Sequence, residues 1–504
     1  MKKYLCVHGH FYQPPRENPW SGLIDEQKSA APSHDWNERI TLECYAPNAR
    51  TQILNNHFQA IQTVNNYSQM SFNIGPTLLS WMERASPDTY RSILEADQKS
   101  ITRFSGHGAA IAQAYNHMIM PLANNRDQQT QVIWGIKDFE FRFKRKPEGM
   151  WLPETAVDIS TLEVLAEHDI TFTILAPNQA QSVAKIGSDE WIDVSDGSID
   201  TQMPYLCRLP SGKEIVIFFY NGHISNEVAF GNLLENGVNL ANRLIQEYPK
   251  PLKRSRLVHI ANDGETYGHH HAFGNMALAY MLYYIETNNL AKVTIYSEFL
   301  EKYPPEYEAK IIEDTSWSCF HGVERWKANC GCHLDLKKGW NQEWRKCLRE
   351  TLDWLRDNLI SFYEKSMSVY YDDPWKIRNE YVSLVLDPSN EELSDILRAS
   401  AHRKLSGQEK KSIKNLLEMQ RYAMLMYTSC GWFFDDISGL ESTQILAYAA
   451  RAIQLAHESG SINWEEEFIN RLTSAKSNDK KMIDGKNIYN LRVKPAMLPT
   501  VEKK

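Results

Sequence analysis

Six short apolar runs, each ending in polar residues, constrain this chain most: KYLCVHGHFY, MSFNIGPT, GMWLPETAV, TFTILAP, EIVIFFYNGHIS and RLVHIANDGE. Patterns of helical period separate them, including ERASPDTYRSILEADQKS, QTQVIWGIKDFEFRFKR and DISTLEVLAEHDI. In the last, Ile159, Leu162, Leu165 and Ala166 share one face, and Asp158 or Ser160 can cap the first turn. Strands alternating with helices predict a parallel sheet covered by helices, either an open doubly wound sheet or a closed barrel. In both, the residues that follow the strands gather at one end, where sites are assembled, and here those residues are polar.

Beyond about residue 340 the period changes to that of long helices: NQEWRKCLRETLDWLRDNLISFYEKS, KIRNEYVSLVL, EELSDILRASAH, GQEKKSIKNLLEMQRYAMLMYTS and ESTQILAYAARAIQLAHES. The expected organisation is an α/β domain over 1–340, a helical domain over 341–475 and a polar tail over 476–504 without periodicity. The balance of 55 Lys+Arg against 63 Asp+Glu gives a net charge of −8, and the one basic run, FRFKRK, is short. A nucleic-acid partner would require a clustered positive surface, so it is not expected. No apolar run is long enough to span a bilayer, and MKKYLCVHGHFYQPP lacks the apolar region of a signal peptide, so a soluble cytoplasmic protein with no membrane partner is expected. The eight cysteines, mostly single and in apolar context, read as reduced thiols. Most of the 14 Trp and 24 Tyr serve packing, but their flat faces also suit sugar rings.

Four polar clusters at strand ends are the candidates for chemistry: HGHFYQPP, SGHGAAIAQAYNH, WLPET and NDGETYGHHH. Glu154 in WLPET could be a helix N-terminal acid, and Asp263 in NDGE could be a turn residue. As a pair from two strand ends, among His and Trp residues, they are what cleavage of a glycosidic bond requires: one carboxylate at the anomeric carbon and one acid at the leaving oxygen. His8, His10, Gln13 and His269 join them as candidate ligands of sugar hydroxyls.

The ordered set HGHFYQP, GHG, WLPE, NDGE and SWSCFHGVERW resembles the five spaced motifs of the family 57 glycoside hydrolases, within a branch of largely uncharacterised bacterial and archaeal homologues. The resemblance covers roughly the first 340 residues strongly, and the helical part more weakly through YTSCGWFFDDISG. It implies an incomplete barrel of seven α/β units, an α-glucan or oligosaccharide substrate, no obligatory metal or other cofactor, and a retaining hydrolase or 4-α-glucanotransferase mechanism. Glu154 then falls on the nucleophile and Asp263 on the acid/base. Trp151 flanks the reacting sugar, His10 and His107 bind it, and Trp432 with Asp436 extends the cleft from the helical region. Many members read HxHQP in the first motif, whereas Phe11 and Tyr12 here stand between His10 and Gln13.

Two segments invite a metal. Consecutive His269, His270 and His271 point in different directions, so at most one or two reach a common ion. Convergence of His8, His10, Asp263 and one of them would instead build a metal-dependent carbohydrate hydrolase, similar to an α-mannosidase or a deacetylase. In SWSCFHGVERWKANCGCH, Cys319, His321, Cys330, Cys332 and His333 lie close in sequence, but the CxC pair is tighter than the usual spacing of structural zinc ligands. A loop of reduced thiols is therefore expected there, with zinc as the alternative. A noncatalytic glucan-binding protein is the remaining alternative function.

Overall fold

The computed structural model describes residues 1–55, 57–335, 338–389, 401–460 and 462–498. Most of the helix expected over EELSDILRASAH lies outside the described residues. The chain forms two compact units: Met1–Gln13, Glu26–Tyr115 and Phe139–Trp317 make the first, and Pro14–Asp25, Asn116–Asp138 and Ser318–Lys504 the second.

Seven strands organise the first unit: β1 (Lys3–Phe11), β2 (Ser71–Ile74), β3 (Ala112–Gln113), β4 (Met150–Trp151), β5 (Phe172–Leu175), β6 (Glu214–Phe219) and β7 (Arg256–Asp263). Parallel ladders join β7 to β1, β1 to β2, β3 to β4 and β5 to β6. Parallel bridges at Phe72/Ala110 and Gly149/Phe172 complete the row β7-β1-β2-β3-β4-β5-β6. Between β6 and β7 there is no ladder among the described residues, although the Asn221 N–H just beyond β6 donates to the His259 carbonyl (2.9 Å). The result is the incomplete seven-stranded α/β barrel expected. On its open side, β6 continues into a mixed extension of Tyr205–Arg208, Tyr307–Ile311, Ala180–Lys185 and Ile192–Asp193, antiparallel except where Tyr205–Arg208 meets Tyr307–Ile311.

Strand period explains what faces inward. Tyr4, Cys6, His8 and His10 alternate along one face of β1, and Leu5, Val7, Gly9 and Phe11 along the other, all of them buried. Tyr4 and Cys6 join Ile111, Trp151, Phe172, Ile174, Phe218 and Leu257 in the apolar core, while His8 and His10 continue the same face toward the C-terminal ends of the strands. The helix Ile159–Glu167 is capped by the Asp158 carboxylate, which accepts from the Thr161 N–H (2.8 Å), and it buries Leu162 and Leu165.

The second unit contains the helices Trp344–Met367, Gly407–Leu425, Leu440–Gly460 and the shorter Glu465–Leu472. Ser406 and Glu409 form a reciprocal cap at the start of Gly407–Leu425. Two segments that a single boundary near 340 would assign elsewhere belong here for identifiable polar reasons. Arg16 pairs with Glu441 (3.4 Å), the Tyr448 hydroxyl donates to the Pro15 carbonyl (3.1 Å), and the Tyr422 hydroxyl donates to that of Pro19 (3.1 Å). Within 116–138, Asp127 accepts from Arg378 (2.7 Å), and the Arg378 side chain also reaches Thr130 (2.7 Å). The tail differs from expectation: Gly485–Ile488 is helical, Tyr489–Val493 continues it as a wide turn, and Ile488, Tyr489 and Val493 are buried.

The Arg378–Asp127 pair is almost completely shielded from water. Arg378→Ala leaves Asp127 buried without its counter-charge, and a loss of about 3–5 kcal/mol follows. The expected outcome is a clearly lower urea midpoint for the helical unit; an unchanged midpoint would show that the pair contributes nothing net.

Candidate active site

Register places the polar residues before any side chain is considered. His10 on β1 lies opposite Asp263 on β7 and opposite Asn73 on β2, and Gln113 on β3 lies opposite Trp151 on β4. Paired residues of parallel strands project to the same face, so Asp263, His10, Asn73, Gln113 and Trp151 form one inward row at the C-terminal ends. Hydrogen bonds run along it. The Asn73 amide donates to His10 Nδ1 (2.8 Å) and to Gln113 Oε1 (2.8 Å), and its oxygen lies 3.0 Å from His8 Nε2. His8 Nδ1 lies 3.0 Å from the Ser71 hydroxyl. With the amide so oriented, Nε2 of His8 carries its proton and Nδ1 of His10 is an acceptor. Burial pushes the His8 imidazole down to about 3, so it is neutral. The Trp151 ring stacks against both imidazoles, 5.0 Å from each and inclined by 19°.

Glu154 follows β4 on a turn that L-residues seldom adopt: its φ is 59° and that of Thr155 is 51°. Left-handed backbone costs a non-glycine residue roughly 1–2 kcal/mol and persists only where the surroundings enforce it. Here the Thr155 hydroxyl donates to Gln179 Oε1 (2.9 Å), and Gln179 Nε2 donates back to the Thr155 carbonyl (2.8 Å). Trp317 holds Glu154 twice, with its backbone N–H on the Glu154 carbonyl (3.0 Å) and its indole N–H on Oε2 (3.1 Å). The Trp317 ring packs edge-on to Trp151 (5.1 Å) and to Tyr220 (6.3 Å).

Asp263 ends β7. Its carboxyl is pushed up to about 8, first by desolvation, then by the charges of Glu154 and Glu265. Solvent nevertheless reaches the residue. The two facts are compatible for a group in a recess, crowded by protein yet open on one side; accessibility decides that a ligand can reach it, and the two like charges reinforce the upward direction. Glu265 is held by the Gln13 amide (2.9 Å) and the Tyr45 hydroxyl. At Gly264 a Cβ would meet the Phe11 ring at 2.3 Å, so the glycine after Asp263 serves close packing.

Residues 8–312 match Glycosyl hydrolase family 57, and residues 340–502 match a domain of unknown function, DUF3536. The chain belongs to glycosyl hydrolase family 57. It is thereby an enzyme of the glycoside hydrolase and transglycosylase class. Solved structures show the same fold. An exo-type maltose-forming amylase from Pyrococcus sp. ST04 aligns at TM-score 0.72 and 14% identity over 94% of this chain and 83% of that one. A branching enzyme from Pyrococcus horikoshii aligns at 0.59 and 15% over 99% and 98%, and a 4-alpha-glucanotransferase from Thermococcus litoralis at 0.54 and 15% over 90% and 60%. No curated protein matches the sequence.

Among the residues singled out in this family 57 chain, Glu154, Asp263 and His10 belong to one site: His10 and Asp263 share the register, and the charge of Glu154 acts on Asp263. Several others have different tasks. Both nitrogens of His8 are engaged inside the protein, so it supports the row and does not face a ligand. Trp151 is fully buried with a ring face against His8 and His10, so it forms the wall behind them. Gln13 is spent on Glu265. His107 precedes β3 and pairs with Glu148, which precedes β4 (2.7 Å), and with Glu301 (3.4 Å); it lies at the N-terminal ends of the strands, away from the two carboxylates.

His269 pairs with Glu43 and sits edge-on to Trp36, whereas His271 bonds the Ala229 carbonyl (2.9 Å), so the histidine run converges on no common point. In the helical unit Trp432 is fully buried, its N–H donates to the Arg345 carbonyl (3.2 Å) and its ring lies parallel to Tyr427, leaving no face for a sugar. Asp436 accepts from Ser438, Ser477 and Asn478 and ties the polar tail to that unit.

Asn73, Gln113 and Trp317 join the site and were not foreseen as its members, whereas Glu265 reads from the sequence as a turn residue or a support for Asp263. Asn73 and Gln113 are the polar residues at the ends of inward-facing strands, a signal present in MSFNIGPT and AAIAQ. Trp317 stands in the SWS motif, but its contact with Glu154 spans 163 positions. Trp317→Phe keeps the ring and removes the bond to Glu154. A hydrogen bond to a charged group contributes about 1.5–3 kcal/mol, so kcat should fall by roughly 10–100-fold with KM little changed. Unaltered kcat would show that the indole does not position the carboxylate.

Proposed function

We propose that the protein is a retaining glycoside hydrolase or 4-α-glucanotransferase acting on α-glucans, with Glu154 as nucleophile and Asp263 as acid/base. The observation that carries this reading is the upward shift of Asp263 to about 8 beside the strained, anchored Glu154. Two carboxyl groups whose environments give one a proton at neutral pH can divide the labour of glycosidic cleavage. The α-glucan substrate rests on the family and on the amylase, branching enzyme and glucanotransferase that share the fold.

The steps follow from the charges. Protonated Asp263 gives its proton to the leaving glycosidic oxygen as a Glu154 oxygen bonds to the anomeric carbon. Esterified Glu154 no longer carries the charge that helped to raise the Asp263 pKa. Asp263, now ionised, removes a proton from water or from an acceptor sugar hydroxyl, and that oxygen displaces Glu154 with a second inversion. His10, with Nδ1 committed to Asn73, orients hydroxyls rather than transferring protons. The metal-dependent alternative needs His8 as a ligand, and both its nitrogens are already bonded to Ser71 and Asn73.

Glu154→Ala should abolish turnover of an α-glucosyl fluoride, and added azide should restore it with a β-configured glycosyl azide as product. Asp263→Ala should lower kcat on maltooligosaccharides by about 10²–10⁴-fold, and far less on the fluoride, whose leaving group needs no acid. Wild-type rates on both substrates after either substitution would remove the assignment.

The pH profile provides a separate check. Because the acid form of Asp263 is the active one, kcat/KM should fall as pH rises through about 8. Glu265→Gln removes one of the charges that raise it and should move that alkaline limb to lower pH; a limb moving upward would contradict the electrostatics.

A further inference from the structure

The segment SWSCFHGVERWKANCGCH takes no part in the proposed chemistry, yet it contains the one group of metal-binding side chains found among the described residues. Ligand atoms of Cys319, His321, Cys330 and Cys332 all lie within 4.8 Å of one another. All the cysteines are free thiols. Cys319 Sγ lies 4.0 Å from Cys330 Sγ and 3.8 Å from Cys332 Sγ, and Cys332 Sγ lies 3.5 Å from His321 Nδ1.

These three separations are close to the edges of a tetrahedral zinc site. Zinc–sulfur bonds of about 2.3 Å at tetrahedral angles put sulfurs about 3.8 Å apart, and replacing one sulfur by nitrogen at about 2.0–2.1 Å shortens that edge to about 3.6 Å. Sulfur–sulfur separations of this size also suit van der Waals contact, so it is the convergence of all four ligand atoms within 4.8 Å that points to an ion.

Local backbone removes the objection that a CxC pair is too tight. Gly331, between Cys330 and Cys332, has φ +79°, a conformation costly for other residues, and the turn directs both sulfurs to one side. A second turn serves the other pair: the Gly322 N–H donates to the Cys319 carbonyl (3.2 Å), with Gly322 at φ +80°. The motif is therefore CxH and CxC, each arm closed by a left-handed glycine.

The surroundings fit a charged centre. The Cys332 N–H points at Cys330 Sγ (3.4 Å), a contact that favours a thiolate. Arg345, fully buried, brings Nη1 to 3.8 Å from Cys330 Sγ and donates to the Cys332 carbonyl (2.8 Å). Three thiolates, a neutral imidazole and a divalent ion sum to one negative charge, which the guanidinium balances. Asp435 fastens the chain beyond Cys332 by accepting from the N–H groups of Leu334 (2.7 Å) and Asp335 (2.9 Å). His333 stays outside, its Nδ1 donating to the Gly331 carbonyl (2.6 Å).

We propose that Cys319, His321, Cys330 and Cys332 bind a structural zinc ion that fastens the 318–335 segment to the helix Trp344–Met367 and to the segment around Asp435. All four positions are filled by protein, so the ion has no open site for a substrate, and its role is structural. Binding releases the protons of those thiols that are neutral in the metal-free protein.

The full-length protein, purified without a metal-affinity step, is stripped with a chelator under reducing conditions and reloaded with zinc sulfate. The expected content by elemental analysis is about one tightly held zinc per chain. Cobalt loaded in its place should give the intense visible bands of a tetrahedral site and thiolate charge transfer, a readout that needs no variant. A Cys319→Ser/Cys332→Ser double variant should lose both signals, whereas Cys347→Ser should retain them. No zinc retained after reloading, octahedral cobalt spectra, stoichiometric iron in the protein as purified, or undiminished zinc in the double variant would each overturn the proposal.

Discussion

Strand β1 is the constraint on which the site depends. It is buried on both faces, pairs in parallel with β7 over most of its length, and meets β2 only at its C-terminal end. Parallel pairing leaves no freedom once the register is set: a slip of one residue would turn His8 and His10 toward the helices and Val7 and Gly9 toward the interior. Because Tyr4 and Cys6 fill the apolar core below, that slip would bury the wrong side chains along the whole strand. The hydrophobic core therefore sets where His10 stands, and through it the neighbours Asp263 and Asn73.

Above that core the polar row is a connected network. Asn73 satisfies His8, His10 and Gln113 together, and His8 is in turn held by Ser71. These bonds fix the orientation of both imidazoles, while Gln113 Nε2 and Trp151 Nε1 of the same row are buried with no hydrogen-bond partner among the described residues. The two carboxylates are arranged differently. Glu154 is forced into a left-handed turn and anchored by Trp317, whereas Asp263 is left reachable and is pushed toward its neutral form. The proposed reaction requires both, rigidity on one side and a retained proton on the other.

Much of this was legible in advance. Alternating apolar runs and helical periods identified the parallel α/β domain and the helical one, and polar residues at strand ends marked Glu154, Asp263 and His10 as candidates. Where reading along the chain failed, the deciding contacts were distant. His107 sits in a motif beside a strand, but at its wrong end. Trp432 looks like a sugar platform until its burial between Tyr427 and the Arg345 carbonyl is seen. The segment PPRENPW reads as part of the first domain, yet its carbonyls and Arg16 are taken up by the helices of the second unit.

By itself, the sequence determined the classes of element, their order and the chemical types available at their ends, because periodicity and side-chain chemistry are local properties. Only the tertiary structure decided which polar groups share a site. Register across strands far apart in the chain pairs His10 with Asp263. Desolvation first, and then the charges of Glu154 and Glu265, raise the Asp263 pKa. Two left-handed glycines accompany the convergence of ligand atoms of Cys319, His321, Cys330 and Cys332 to within 4.8 Å of one another. Each depends on distances between residues that the chain order does not encode, and those distances are set by packing of the whole fold.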